Sequence, residues 1–384
     1  MFMTQEDTDV RRTALTPPRY APVRLPVRAP ACDGLHMPAE WEPHAGCWMA
    51  WPCPGPLWLD ALEPARASYA SVARAIARFE PVTMLARPED AQAAAALCGP
   101  TVTVLPAPIE DAWMRDFGPT FLVDGAGGVA GVHWLFNAWG HTYDEPTHDD
   151  GVAQLILSRL GMRRYAAPFI LEGGSIHVDG QGTLVTTEQC LLDPRRNAGM
   201  TKADFEELFG AYLGVRKVVW LGEGLEGDDT HGHVDIVASF ARPGVVLLHR
   251  CDDPEDHNHA VYQDNLRRLE LTTDACGRPF EIITIDQPAR VDHGGKRMDL
   301  SYINFYVANG GIVMSAFGEP GDRQTSPDPL NSPNAQDRVA FETLRRVFPG
   351  REVVQVHSLD IFRGGGGVHC ITQQQPAGRP LPPF

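Results

Sequence analysis

The chain has 384 residues, 43% of them hydrophobic and 21% charged, which is the composition of a globular protein large enough for one big domain or two ordinary ones. A formal net charge of −16 argues against a nucleic-acid partner, which needs a basic footprint, and favours small cations by long-range attraction. No stretch approaches the roughly eighteen uninterrupted apolar residues of a membrane span, so no membrane partner is expected.

Residues 1–36 hold Glu6, Asp7, Asp9, Arg11 and Arg12 and no apolar signal core. They read as an extended or mobile arm, with the cytoplasm as the default address. After it, no linker divides the chain. We expect a single catalytic domain over 37–376 and a short tail over 377–384.

Within that domain an order of elements recurs. The first round is a hairpin over 120–124 and 129–136, a helix over 151–160 and a strand over 165–171. In the second, a hairpin over 175–178 and 183–187 precedes a helix over 202–213 with Thr201 as N-cap, and a strand over 217–221. The third has its hairpin over 233–240 and 245–249, its helix near 259–274 and its strand over 280–285. The fourth has a hairpin over 302–307 and 312–316, a helix over 335–347 stopped by Pro349-Gly350, and a strand over 353–357. A fifth round closes circularly, the Cys370 segment pairing near 46–51 before a helix over 65–79 and a strand over 82–85. Five ββαβ units around a pseudo-axis make an α/β propeller with a central cleft. A doubly wound fold would alternate single strands with helices, without a hairpin ahead of each one.

The chemistry-bearing residues fall at equivalent places in these rounds. Trp113-Met114-Arg115-Asp116 precedes the first hairpin, Glu172-Gly173-Gly174 the second, His233-Val234-Asp235 opens the third and Cys370 lies in the closing one. Eight cysteines are scattered without a CxxC pair, so neither zinc ribbon nor disulfide framework is indicated. Cys370 differs from the other seven because Gly364-Gly365-Gly366-Gly367 runs up to it. Glycines there let backbone pass close to another group and leave a thiol facing a pocket.

In a strand, His233 and Asp235 point to one face, which suits proton transfer. An indole over a planar cation, with Asp116 accepting its N–H groups, is one way to grip a guanidinium; a core tryptophan in a turn is the plainer reading. Asp228, Asp229, His231, His233 and Asp235 are also potential metal donors. They lack a fixed ligand spacing, so neither metal nor cofactor is expected.

Taken together, these segments resemble the agmatine deiminase family of the guanidine-modifying pentein superfamily. The matching stretches are Met37-Pro38-Ala39-Glu40-Trp41-Glu42-Pro43-His44 with Trp48-Met49-Ala50-Trp51-Pro52, and residues 113–120, 136–140, 171–192, 227–235, 302–311 and 364–376. The resemblance implies the five-bladed ββαβ propeller and hydrolysis of agmatine to N-carbamoylputrescine and ammonia without metal or cofactor. Under it Cys370 matches the nucleophile, His233 the general acid/base, and Asp116 and Asp235 the carboxylates that hold the guanidinium. Glu172 matches the glutamate that positions the histidine, Trp113 the wall over the cation, and Asp229 an acidic position toward the distal amine. The rivals are a deiminase of peptidyl-arginine, free or methylated arginine, an amidinotransferase, and a non-catalytic binding protein. The partner implied is a small cationic guanidine, and assembly into a homo-oligomer is left open.

Overall fold

The computed structural model describes residues 28–55, 57–58, 61–143, 148–318 and 335–384. Most of the expected N-terminal arm therefore lies outside the described residues. Its last part forms a short 3₁₀ turn, Pro30–Asp33, after which His36 bridges to Val123.

Five sheets share one plan: two antiparallel strands, then a third strand parallel to the second and reached through a helix. The first is Thr120–Val123, Gly128–Leu135 and Arg164–Ile170, with the helix Val152–Arg159. The second is His177–Val178, Thr183–Thr187 and Lys217–Leu221, with the helix Lys202–Leu213. Ala238–Arg242, Val245–Arg250 and Glu281–Asp286 follow, with the helix His257–Glu270. Tyr306–Ala308, Gly311–Ala316 and Glu352–His357 form the fourth, with the helix Ala335–Val347. The fifth joins the two ends of the domain. Thr372–Pro376 pairs antiparallel with His44–Ala50, which then pairs parallel with Val82–Ala86 after the helix Leu62–Ile76. The result is a mixed α/β domain.

Local sequence explains why the elements start and stop where they do. Thr201 accepts from the Asp204 peptide N–H while Asp204 accepts from the Thr201 N–H, a reciprocal cap that opens the helix Lys202–Leu213. Phe205, Leu208, Phe209, Tyr212 and Leu213 then form its buried face, at the spacing of one helical stripe. Gly214, at φ 68°, ends it in the left-handed conformation that glycine adopts without strain.

Four differences from the sequence reading matter for the site. The hairpins expected from 175, 233 and 302 begin later, at His177, Ala238 and Tyr306. Their lead-in residues are irregular or 3₁₀, as in Gly173–Ser175 and Val234–Ile236. His233 and Asp235 thus sit on a tight turn and not on one strand face; the alternation of residue types there reflects burial all round. Cys370 likewise lies two residues ahead of its strand. The closing unit also carries an unforeseen helix, Ala91–Cys98, and strand, Val102–Pro106. Finally, the tail is not loose throughout, since Arg379–Pro380 pairs parallel with Gly128 and Val129.

Candidate active site

Each sheet is preceded by a short lead-in segment; the one before the fourth sheet brings Asn304 to the site, and the other four bring the remaining side chains there. They contain the helix Met114–Phe117, the turns Gly173–Ser175 and Val234–Ile236, and residues 364–371. Gly174 marks the meeting point. A Cβ built on it would lie 2.5 Å from His233 Nδ1, 2.9 Å from Asp116 Oδ1 and 3.0 Å from Asp235 Oδ2, so only glycine fits between them.

Cys370 is buried, and its thiol lies 3.4 Å from Asp235 Oδ2 and 3.2 Å from the Asn304 side-chain amide, which donates to the sulfur. The glycine run ahead of it is required by close packing. A Cβ at Gly364 would come 2.4 Å from Trp58, one at Gly366 2.5 Å from Trp113, and one at Gly367 2.4 Å from Asn304 Oδ1. Burial, then the Asp235 and Asp116 carboxylates, push the Cys370 thiol well above its ordinary pKa. The resting group is a thiol that a nearby cation would help to ionise.

The two aspartates are held differently. Asp116 accepts from the Gly174 peptide N–H at 2.9 Å and from the Trp139 indole N–H at 2.8 Å. Burial raises its pKa, the Asp235 and Glu172 carboxylates adding to the rise while His233 opposes it. Asp235 is also buried, but contact with His369 at 2.8 Å outweighs the burial and holds its carboxyl below the ordinary value. Its other oxygen, Oδ1, is buried and has no hydrogen-bond partner among the described residues.

His233 lies with Nδ1 3.8 Å from Asp116 Oδ1 and Nε2 3.8 Å from Glu172 Oε2. Neither ring nitrogen makes a protein hydrogen bond within the described residues. Burial disfavours its charged form. The carboxylates of Asp116 and Glu172 and the neighbouring Cys190 outweigh that, raising the pKa well above 6.5. Glu172 is itself kept ionised against burial by Arg196, whose Nε lies 2.9 Å from both its oxygens.

Trp113 stacks on Trp58 at 5.6 Å and 16°, and its indole N–H donates to Asp111 at 3.1 Å. With Trp139 and Tyr143 it walls a narrow cleft that reaches Asp116 and Cys370 at its inner end and Asp229 at its outer end. Asp229 is half-exposed; its carboxylate accepts from Tyr143 OH at 3.3 Å and forms an ion pair with Lys296.

All seven residues singled out from sequence are thus accounted for: Cys370, Asp116, Trp113 and Asp229 line the cleft, His233 and Asp235 flank its inner end, and Glu172 stands behind His233. Asn304, Trp139 and His369 were missed as site residues. The first was findable in principle, because it occupies the lead-in of the fourth round, the one round left without a candidate.

Among the described residues, two buried groups bring metal-type donors together: Glu172, Cys190 and His233, and Glu40, His177 and His369. In each, a guanidinium already neutralises the carboxylate, Arg196 on Glu172 and Arg115 on Glu40, so an added cation would meet fixed positive charge. Asp228 turns its carboxylate back on its own loop, accepting from the peptide N–H groups of Thr230, Gly232 and His233.

A soft nucleophile, an imidazole of raised pKa and two buried carboxylates beside a small cleft can attack and protonate a planar cation. Known proteins share this arrangement's frame. The sequence model of the Porphyromonas-type peptidyl-arginine deiminase family matches residues 36–376. The agmatine deiminase of Stutzerimonas stutzeri is 43% identical over 372 residues, covering 91% of this chain and 97% of its own. That of Pseudomonas aeruginosa is 42% identical over 378 residues, covering 92% and 99%. The solved agmatine deiminase of Enterococcus faecalis superposes with a TM-score of 0.85 at 35% identity, over 92% of this chain and 99% of that one.

Proposed function

Because the chain belongs to the Porphyromonas-type peptidyl-arginine deiminase family, we propose that it hydrolyses the guanidinium of agmatine, giving N-carbamoylputrescine and ammonia. The observation that carries this reading is the Cys370 thiol set against Asp235 at 3.4 Å, with Asp116 and His233 meeting around Gly174.

The steps follow from the geometry. Asp116 and Asp235 accept the guanidinium N–H groups and keep the cation protonated, which leaves its carbon open to attack. The incoming positive charge lowers the pKa of the buried thiol, which releases its proton to solvent as substrate binds, and Cys370 Sγ bonds to that carbon. His233, as imidazolium, gives its proton to the departing nitrogen as the C–N bond breaks, releasing ammonia and leaving an amidino-thioether cation. The now neutral His233 takes a proton from water, whose oxygen bonds to the carbon. The C–S bond then breaks as the O–H proton of the intermediate passes to the departing sulfur, restoring the Cys370 thiol and freeing the ureido product. Glu172, fixed by Arg196, supports the charged imidazole through both half-reactions.

The narrowness of the cleft under Trp113 and Trp139 supports a small substrate over an arginyl peptide, and Asp229 at its mouth suits a distal ammonium. We assign 37–376 as the catalytic domain with its five ββαβ units closing round the site, 1–36 as an arm and 377–384 as a tail. Chelation should leave activity intact, since each of the two donor groups found among the described residues already faces a guanidinium. Eight unpaired cysteines favour a reducing compartment, the cytoplasm, and among the described residues no helix is long and apolar enough to cross a membrane.

The test is direct: incubate the protein with agmatine, arginine and an arginyl peptide, and measure ammonia and ureido product. Agmatine should be turned over best. Better turnover of arginine or the peptide would overturn the substrate assignment, and transfer to an added amine in place of water would make the protein an amidinotransferase.

A further inference from the structure

Cys370 is preceded by a histidine that the mechanism above leaves unused. His369 is buried with its ring between two carboxylates: Nδ1 lies 2.8 Å from Asp235 Oδ2 and Nε2 2.7 Å from Glu40 Oε1. A neutral imidazole has one N–H, so one of these contacts would press a lone pair against a carboxylate oxygen. Both can be hydrogen bonds only if each ring nitrogen carries a proton, or if one acid does. Glu40 stays ionised because it also faces Arg115 at 3.2 Å and His177 at 3.5 Å. Asp235 has the thiol as its other neighbour, at 3.4 Å. The proton therefore belongs on the ring.

The ring is also held in place. The His369 peptide N–H donates to Asn304 Oδ1 at 2.9 Å, its carbonyl accepts from Arg115 Nε at 3.3 Å, and the His177 ring stacks on it at 6.1 Å. One oxygen of Asp235 is thus committed to His369 and Cys370, while the other has no hydrogen-bond partner among the described residues.

We infer that His369 is a positioning residue: as an imidazolium bridging Glu40 and Asp235, it keeps Asp235 ionised in a buried site and leaves Oδ1 to accept from the substrate guanidinium. This rests on the guanidine reading above. Without the imidazolium, Asp235 would keep only the more distant charge of His233 against its burial and Asp116, so its pKa would rise toward protonation and a guanidinium would meet a neutral acid.

Calorimetric binding to Cys370→Ser and Cys370→Ser/His369→Gln protein tests it, with agmatine and with putrescine, which has the tail amine but no guanidinium. Agmatine affinity should fall roughly ten- to hundredfold, the weight of a hydrogen bond to a charged group, with putrescine changed by less than about twofold. Equal agmatine affinity in the two proteins overturns the inference, and so does parallel loss of both ligands, which would mean general damage to the pocket. Should Cys370→Ser protein not bind agmatine at all, the substrate reading fails, and methylguanidine then reads the effect of His369 alone.

A second variant leaves His369 in place. The charged groups facing its ring are Asp235 and Glu40 at the edges, Arg115 beyond Glu40 and, on its face, His177. In Glu40→Gln the ring loses the anion that holds its second proton, so its pKa drops. In the Cys370→Ser background, agmatine binding to Glu40→Gln should weaken from about pH 6 to about pH 8, while the parent stays level across that window. An identical pH dependence in both proteins overturns the imidazolium.

Discussion

The two ends of the cleft hold their carboxylates in opposite ways. At the inner end Asp116 and Asp235 are buried, and each is oriented by donors that arrive from distant parts of the chain. At the outer end Asp229, with its side chain 37% exposed, is paired with Lys296, itself 49% exposed. A charge contact in the dry interior is weakly screened, whereas an exposed pair is worth little in water. Under the proposed function, the inner end serves the reaction and the outer end a modest choice among substrates.

The largest effect should come from the nucleophile. Cys370→Ser keeps the shape of the inner end but replaces a soft thiolate with a poor nucleophile, and should lower kcat by about three orders of magnitude or more, measured as ammonia release. Near-native turnover would end the covalent mechanism and with it the special status of the inner end.

Next, Asp116→Asn removes one of the two inner charges while keeping its size. A buried charged contact of this kind is worth about 2–5 kcal/mol, so kcat/KM should fall by roughly 30- to several-thousandfold. A loss no larger than that of an outer-end variant would erase the contrast between the ends.

Glu172→Gln acts on the pH profile. The folded-state pKa of His233 lies above its ordinary 6.5 because Asp116, Cys190 and Glu172 together outweigh burial. The imidazolium is thus present at low pH and is lost as pH rises through that raised value. Removing the Glu172 charge lowers the value, so the alkaline limb of kcat should move to lower pH. A limb that stays in place would mean that Glu172 serves only to anchor Arg196, which would be left with Asp193 as its carboxylate, and the loss would then appear as a lowered Tm alone.

The smallest effect belongs to the outer end. Asp229→Asn should reduce kcat/KM for agmatine by about three- to tenfold and narrow the margin over arginine, because the contact is half in water. Lys296→Met should do the reverse, raising agmatine affinity a few-fold by removing the ammonium that competes for Asp229. A hundredfold loss in Asp229→Asn would show that this end is as dry as the other when substrate is bound.

How far the molecule could be read in advance depended on range. The helix Lys202–Leu213 and the strand Lys217–Leu221 were legible to the residue, and so was the C-terminal end of the helix Ala335–Val347, because a capping pair, an apolar stripe or a Pro-Gly stop lies inside each window. The lead-in turns were not. His233-Val234-Asp235 alternates like a strand, and only the tertiary fit around Gly174 bends it into a 3₁₀ turn. Cys370 stood out through its glycines, but the reason for them, two indoles and an asparagine packed against that backbone, became visible only in three dimensions.

By itself, then, the amino-acid sequence determined the recurring hairpin, helix and strand, the acidic character, and the identity of the thiol, histidine and carboxylates. Those follow from local propensity, periodicity and residue chemistry. The tertiary structure alone decided which groups tune them. Trp139 reaches Asp116 across 23 positions, Asn304 reaches Cys370 across 66, and His369 reaches Glu40 across 329. Such contacts leave no pattern in any window of sequence. They arise because the ends of the domain share one sheet and the lead-in segments meet there, in a buried space where each charge must find a partner.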